Sequence, residues 1–319
     1  MLKSFFIYLS KAAWVRKIVT DWPLVRRMAE RFIAGEKLED ALSVILLLNG
    51  KGINATLDHL GENTTNSDEA LKATQDILMA LDEIDRTGIR ANISVKLTQI
   101  GLLLDPTLCA ENLRTILEHA WNLGNFIRID MEDSSVTQAT LDVLHQMERQ
   151  GYQNAGIVIQ AYLYRSSTDI EELIKECTKI RLCKGAYKES ANVAYPQKRD
   201  VDSAYDRLAE RLFRGALEHD CPSISADGKI PPLVALATHD VKRILFAKDL
   251  TVKLDLPKQA LEFQMLYGIR RDLQERLVAE GYSVRIYVPY GTQWYPYFMR
   301  RLAERPANVR FFLSNFFRN

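Results

Sequence analysis

Apolar residues change their period along this chain. Over residues 2 to about 48 they recur at helical spacing, with a break at Asp21-Trp22-Pro23. Past Gly50-Lys51-Gly52, short runs rich in β-formers take over, at 53–60, 91–97, 126–132, 156–162, 179–184, 233–238, 261–266 and 283–288. Between them lie helix-forming segments with apolar residues at helical spacing, at 68–86, 106–123, 136–149, 169–176, 201–219, 241–248 and 270–279, and a last helix starts at Pro296. Eight strands, each followed by a helix, predict an α/β fold: a (β/α)8 TIM-type barrel over residues 51–319 behind an N-terminal helical extension, residues 1–50. One connection, from Ala186 to about Asp200, is too long for a plain βα turn, and loops of that length are commonly lids or binding loops.

Strand alternation says which side chains face the bore. In Ile93-Ser94-Val95-Lys96-Leu97 the apolar set faces the helices and Lys96 faces in. By the same rule Arg128, Asp130 and Glu132 point inward from the third strand, while Ile127, Ile129 and Met131 point outward. Gln160 follows on the fourth strand, Arg181 on the fifth, Glu262, Gln264 and Leu266 on the seventh, and Arg285 and Tyr287 on the eighth. A barrel bore is ordinarily filled with branched apolar residues, and charges buried there are costly unless paired. A charged bore is either an internal ion-pair network or an active site, which this fold builds at the C-terminal ends of its strands.

In the last helix Tyr297, Arg300, Arg301 and Glu304 share one face at i, i+3, i+4 and i+7. First turns of a helix favour acidic residues, so two adjacent guanidinia there are expected to meet an anion, a carboxylate or phosphate held by bidentate bonds. A solvated Arg300–Glu304 pair is the plainer alternative. His239, in Ala237-Thr238-His239-Asp240, has no second His beside it and reads as a hydrogen-bonded structural residue, so no metal is expected. Lys184-Gly185-Ala186-Tyr187 ends the fifth strand, where a glycine lets backbone approach a ligand. No GxGxxG follows the first strand, which leaves a Rossmann-bound nicotinamide nucleotide without support.

Composition narrows the class. With 42 Lys+Arg against 41 Asp+Glu in 319 residues, no charge bias advertises nucleic acid. The four cysteines, Cys109, Cys177, Cys183 and Cys221, lack CxxC spacing and are expected as free thiols in a reducing, cytoplasmic compartment. The longest apolar run, residues 44–48, is far short of a membrane span and is assigned to a short buried helix. Lys11 interrupts the Phe5-Phe6-Ile7-Tyr8-Leu9 run before it becomes a signal-peptide core. The basic N-terminal helices (Lys3, Lys11, Arg16, Lys17, Arg26, Arg27) and the tail Phe311-Phe312-Leu313-Ser314-Asn315-Phe316-Phe317 are candidates for peripheral contact with the inner face of the cell membrane, the alternative being packing on their own domain.

Four motifs in order, Arg181-Leu182-Cys183-Lys184-Gly185-Ala186-Tyr187-Lys188-Glu189, Ala237-Thr238-His239, Glu262-Phe263-Gln264-Met265-Leu266-Tyr267-Gly268 and Tyr297-x-x-Arg300-Arg301-x-x-Glu304, resemble the proline dehydrogenase family in its short, monofunctional bacterial form. The resemblance runs from about Asn54 to Asn308 and implies a flavoenzyme that oxidises L-proline to Δ1-pyrroline-5-carboxylate on FAD, with FMN the alternative, and passes electrons to a membrane quinone. It implies that Arg300 and Arg301 clamp the proline carboxylate with Lys96 on the same side, that Tyr287, Leu266 and Tyr297 wall the ring, and that Asp130 and Arg181 are the catalytic pair, Arg181 close to the flavin. Met131, Gln160, Lys184, Gly185, Ala186, Thr238, His239 and Glu304 match cofactor-contacting positions. Lys188 stands where longer bifunctional relatives carry Trp, so flavin stacking is not carried over to it. The product would pass to a separate pyrroline-5-carboxylate dehydrogenase. A Schiff-base lyase or aldolase using Lys96 or Lys184, and a non-catalytic binding barrel whose bore charges are structural, are the competing readings.

Overall fold

Eight parallel strands hydrogen-bond in sequence order and the last closes on the first. The computed structural model describes residues 28–61 and 64–304, without the side chains of 302–304; the basic N-terminal segment up to residue 27 and the aromatic tail lie outside the described residues. Helix α1 (Leu38–Gly50) leads into β1 (Asn54–His59), and helix and strand then alternate. The succession is α2 (Ser67–Thr87), β2 (Ala91–Lys96), α3 (Pro106–Asn122), β3 (Ile127–Asp130), α4 (Thr137–Arg149), β4 (Ala155–Gln160), α5 (Ser166–Lys175) and β5 (Lys179–Cys183). It continues with α6 (Lys198–Glu218), β6 (Val234–Ala237), α7 (Val241–Lys253), β7 (Leu261–Leu266), α8 (Arg271–Ala279), β8 (Ser283–Tyr290) and α9 (Trp294–Glu304). The TIM-type barrel read from the apolar pattern is the fold. Element ends shift by a few residues: α7 runs on to Lys253, and α9 starts two residues before Pro296, which puts Arg301 in its last turn rather than in the first turns expected from the sequence.

Local chemistry sets the helix starts. Asn66 and Asp105 cap α2 and α3 by accepting from the amides of Glu69 and Thr107, Pro106 opens α3, and Asp240 caps α7 from the amide of Lys242. Along the strands the outward set, such as Leu57, Val95, Ile129 and Val284, is fully buried beneath the helices. The inward set is polar: Thr56 and Asp58 on β1, Asn92, Ser94 and Lys96 on β2, Arg181 on β5, Glu262 and Gln264 on β7. At the N-terminal end of the barrel a turn at Ser225-Ala226-Asp227-Gly228-Lys229-Ile230 closes the bore. Its Lys229 carbonyl accepts from Asn92 and its Gly228 carbonyl from Arg285. A Cβ on Gly228 would lie 2.5 Å from the Asn54 side chain, which is why the plug turns on glycine.

At the opposite end a second apolar cluster seats α9: Trp294, Tyr295, Phe298 and Met299 pack with Ala29, Phe32, Ile33 and Ile269. The face carrying Tyr297 and Arg301 is thereby turned toward the strand ends.

Two expectations are corrected. The run at residues 44–48 lies in α1, but Leu46 and Leu47 are 63% and 72% exposed. A helix distributes five consecutive residues around its whole circumference, and Ala41, Leu42 and Ile45 form the side that meets the barrel. The cysteines are not all free either: Cys177 and Cys221 form a disulfide across 44 residues of sequence, with Cα atoms 5.6 Å apart. Cys177 follows α5 and Cys221 follows α6, adjacent helices whose ends the barrel brings together, and no spacing motif announces that. Cys109 and Cys183 remain thiols. Closing a loop of this length constrains the unfolded chain, so Cys177→Ser should lower unfolding free energy by about 2–4 kcal/mol. Denaturant midpoints of the two proteins, with and without reductant, check it; a wild-type midpoint insensitive to reductant would contradict it.

Candidate active site

One carboxylate organises the upper bore. Asp130, at the end of β3, accepts from Ser94 Oγ at 2.6 Å and Arg181 Nη1 at 2.8 Å on one oxygen, and from Tyr287 Oη at 2.7 Å on the other. Lys96 Nζ stands 3.8 Å from that second oxygen, 3.4 Å from the Tyr287 hydroxyl and 2.9 Å from Asp58 Oδ1. The Arg181 guanidinium also lies over the Tyr287 ring, 5.3 Å from its centroid. Neighbouring register explains the meeting: Lys96 pairs with Asp130 across β2–β3 and Thr56 with Tyr287 across β1–β8. Burial, reinforced by Asp130 and Asp58, raises the Tyr287 phenol well above its ordinary value and keeps it a neutral donor. Burial also raises Asp58, against the opposing pull of Lys96.

Below this layer Arg285 Nε pairs with Glu262 at 2.8 Å, both groups essentially without solvent exposure. Arg128 departs from the ion-pair alternative: its guanidinium donates to the carbonyls of Ile157 and Lys179 and lies over the Phe126 ring. Burial, with Arg181 adding, holds it well below the usual arginine range. Glu132 does not enter the bore. The strand stops at Asp130, alternation no longer applies, and Glu132 accepts from the Thr98 amide and hydroxyl. For the same reason Met131, expected outward by alternation, lines the cavity.

That cavity, about 410 Å³, opens above the Asp130 layer at the C-terminal ends of the strands. It gathers Lys96, Asp130, Met131, Gln160, Arg181, Lys184, Gly185, Ala186, Thr238, His239, Leu266, Tyr287, Tyr297, Arg300 and Arg301, the sequence-derived site residues apart from Glu304, whose side chain lies outside the described ones. Arg301 stacks on Tyr297, its guanidinium 5.1 Å from the ring centroid. Gln160 pins the loop after β5, its amide accepting from the Ala186 amide at 3.0 Å and donating to the Glu132 carbonyl at 2.8 Å. Gly185 holds φ +129°, and a Cβ there would lie 2.5 Å from the Tyr162 ring. His239 Nε2 accepts from the Leu266 amide at 3.0 Å, the structural bond expected of it.

Lys184 bridges Asp202 at 2.5 Å and Asp240 at 2.7 Å. Burial pushes both carboxyls up, but hydrogen bonds from Lys184, joined on Asp202 by Lys198, outweigh it and leave both below their ordinary value. Both lysines are committed to carboxylates, Lys96 to Asp58 and Lys184 to Asp202 and Asp240, which speaks against Lys96 or Lys184 as a Schiff-base nucleophile. The Cys183 thiol, pushed up to about 12 by burial, is no nucleophile either. Asp58 lines the same cavity and was missed by the sequence reading, although alternation along Asn54-Ala55-Thr56-Leu57-Asp58 was signal enough. Asp202 and Asp240 carried none, since only the fold brings α6 and the β6–α7 turn to Lys184.

A family model described as proline dehydrogenase matches residues 41–313. Among curated proteins, proline dehydrogenase 1 of Bacillus subtilis is 40% identical over 315 residues, 98% of either chain, and the proline dehydrogenase of Deinococcus radiodurans 39% over 289 residues, 89% of this chain and 88% of that one. The bifunctional protein PutA of Escherichia coli is 28% identical, the match spanning 24% of it. Among solved structures, proline utilization A from Bdellovibrio bacteriovorus inactivated by N-propargylglycine superposes with TM-score 0.77 at 28% identity, covering 88% of this chain and 33% of that one.

The floor of the bore yields a stability test. Arg285→Met strands the Glu262 carboxylate in a dry site and should cost about 3–5 kcal/mol of unfolding free energy, much of it recovered by adding Glu262→Met. Urea denaturation of the single and double variants measures both numbers.

Proposed function

The chain belongs to the proline dehydrogenase family, oxidoreductases acting on proline, and from that premise we propose that it converts L-proline to Δ1-pyrroline-5-carboxylate on bound FAD and passes the electrons to a membrane quinone. The observation that carries the proposal is the meeting of Arg300 and Arg301 with the Lys96–Asp130–Arg181–Tyr287 network around one cavity. Residues 51–319 act as the catalytic barrel and residues 1–50 as its extension.

The residues present suit a flavin. Met131, Val158 and Met265 supply apolar wall, Arg181 a guanidinium, and the backbone at Gly185 and Ala186 a close approach without bulk. Met131, Gln160, Lys184, Gly185, Ala186, Thr238, His239 and Glu304 would hold the cofactor, FMN being the alternative to FAD. When bound, the flavin supplies the two-electron acceptor for the hydride leaving the proline carbon next to nitrogen.

The chain's own residues do the rest. Arg300 and Arg301 take the substrate carboxylate in charge-assisted bonds, with Lys96 on the same side. Tyr287, Leu266 and Tyr297 wall the ring and exclude water. Asp130 holds Arg181 and the Tyr287 hydroxyl in fixed directions, so that the Arg181 charge stands ready for the negative charge of a reduced flavin. No protein nucleophile is required, in keeping with the ion-paired lysines and the neutral Cys183.

Among the described residues no helix is long and apolar enough to cross a membrane. Delivery to a quinone in the bilayer would then rest on peripheral contact with the cytoplasmic face, to which the basic N-terminal segment is suited. A separate pyrroline-5-carboxylate dehydrogenase consumes the product.

Purified protein should show a flavin spectrum that bleaches on anaerobic addition of L-proline. A flavin that proline leaves oxidised rejects the substrate, and a colourless protein that takes up no FAD rejects the cofactor. Arg301→Lys, which forfeits the guanidinium fork, should raise KM for proline by about tenfold or more while kcat falls much less. An unchanged KM in steady-state assays removes Arg301 from the clamp.

A further inference from the structure

Arg181 is gripped from four strands. Nη1 donates to Asp130 on β3 and, at 3.3 Å, to Ser94 on β2; Nη2 donates at 3.4 Å to Thr56 on β1; and Nε donates to Gln264 Oε1 on β7 at 2.5 Å. The Asp130 contact alone would let the guanidinium pivot, and a short bond to Nε from another strand removes that freedom. Gln264 is 4% exposed and borders the cavity.

An amide side chain serves Nε only with its oxygen forward, since turned over it would set a donor against a donor. Its orientation is fixed from below. Gln264 Nε2 donates at 2.6 Å to Glu262 Oε1, the oxygen that accepts from Arg285 Nε. A carboxylate held by an arginine only accepts, so the nitrogen of Gln264 faces Glu262 and the oxygen faces Arg181. Register permits the chain of contacts: Gln264 lies beside Arg285 across β7–β8, and Glu262 and Gln264 share one side of β7.

We infer that Gln264, oriented by the Glu262–Arg285 pair, is a positioning residue that fixes the plane of Arg181 at the cavity and so preserves its charge and direction for catalysis. The floor of the barrel thus has a role in turnover as well as in stability. The inference rests on the flavin reading above, in which Arg181 faces the cofactor.

The decisive variant is Gln264→Glu. Protonated, the new carboxyl reproduces the amide pattern, its O–H donating to Glu262 and its C=O accepting from Arg181. Ionised, it opposes Glu262 and cancels the charge of Arg181. The charged groups around it are Glu262 on its own strand, Arg181 on β5 and Arg285 on β8, with Asp130 and Arg128 on β3 and the Tyr287 hydroxyl beyond. Of two buried carboxyls that share a proton, one keeps it to higher pH while the other ionises more readily beside Arg181 and Arg285, and it is the loss of that shared proton that the pH series reads.

The ratio of variant to wild-type kcat, measured with a soluble dye acceptor, should fall by about tenfold or more from acid to alkaline pH, with KM for proline changing less than about threefold. The flavin midpoint potential of the variant, relative to wild type, should fall over the same pH range. Gln264→Met should lose kcat at every pH with KM retained, and it carries the test if the Glu variant does not fold. A pH-independent kcat ratio in Gln264→Glu, a wild-type kcat in Gln264→Met, or a loss confined to KM or to melting temperature overturns the positioning role. Wild-type protein without flavin overturns the reading beneath it as well; wild-type protein that proline bleaches, beside a flat ratio, overturns the positioning role alone.

Discussion

Asp130 is the constraint on which the upper half of the barrel depends. A carboxylate largely withdrawn from water must be surrounded by donors, and this one has Ser94, Arg181 and Tyr287 hydrogen-bonded to it with Lys96 beside them. Each of those groups would be a buried liability alone. Together they fix β2, β3, β5 and β8 in one register at the mouth of the bore, and they leave a guanidinium and a phenol aimed in set directions. The same desolvation that makes the network costly to break makes it rigid, which is what orientation at a reacting centre requires.

The polar bore is organised in layers. At its N-terminal end the turn around Gly228 stops the opening, and Arg285 ties that turn to Glu262. At its C-terminal end α9 lies on Phe32, Ile33 and Ile269 and presents Tyr297 and the arginine pair over the opening. The helices do the ordinary work of burying the outward apolar set, and chemistry is confined to the inward one. Lys184, anchored by Asp202 and Asp240 from α6 and the β6–α7 turn, ties the rim after β5 to its neighbours.

Particular residues show how much of this could be read beforehand. Lys96, Asp130, Arg181, Gln264 and Tyr287 lie inward on strands whose period of two is unambiguous, so their side of the sheet was legible. Met131 and Glu132 were misplaced because alternation was carried past the end of β3 at Asp130. On the ion-pair alternative Arg128 would have found a carboxylate; it finds two carbonyls and an aromatic ring, an outcome that depends on Gly156. A Cβ at that position would meet the Lys179 carbonyl at 2.4 Å and Arg128 Nη1 at 2.8 Å. The disulfide was invisible, because Cys177 and Cys221 become neighbours only when consecutive helices are laid side by side.

The sequence by itself determined the barrel, its strand order, the polar character of the bore and the family, because each follows from local periodicity or from motifs in order. Tertiary structure alone decided who pairs with whom: Lys96 with Asp58, Lys184 with Asp202 and Asp240, Gln264 with both Arg181 and Glu262. Pairing depends on how far each strand is offset against its neighbour and on which loop crosses above it. Those offsets are set by closing the whole sheet on itself, and no stretch of sequence records that closure locally.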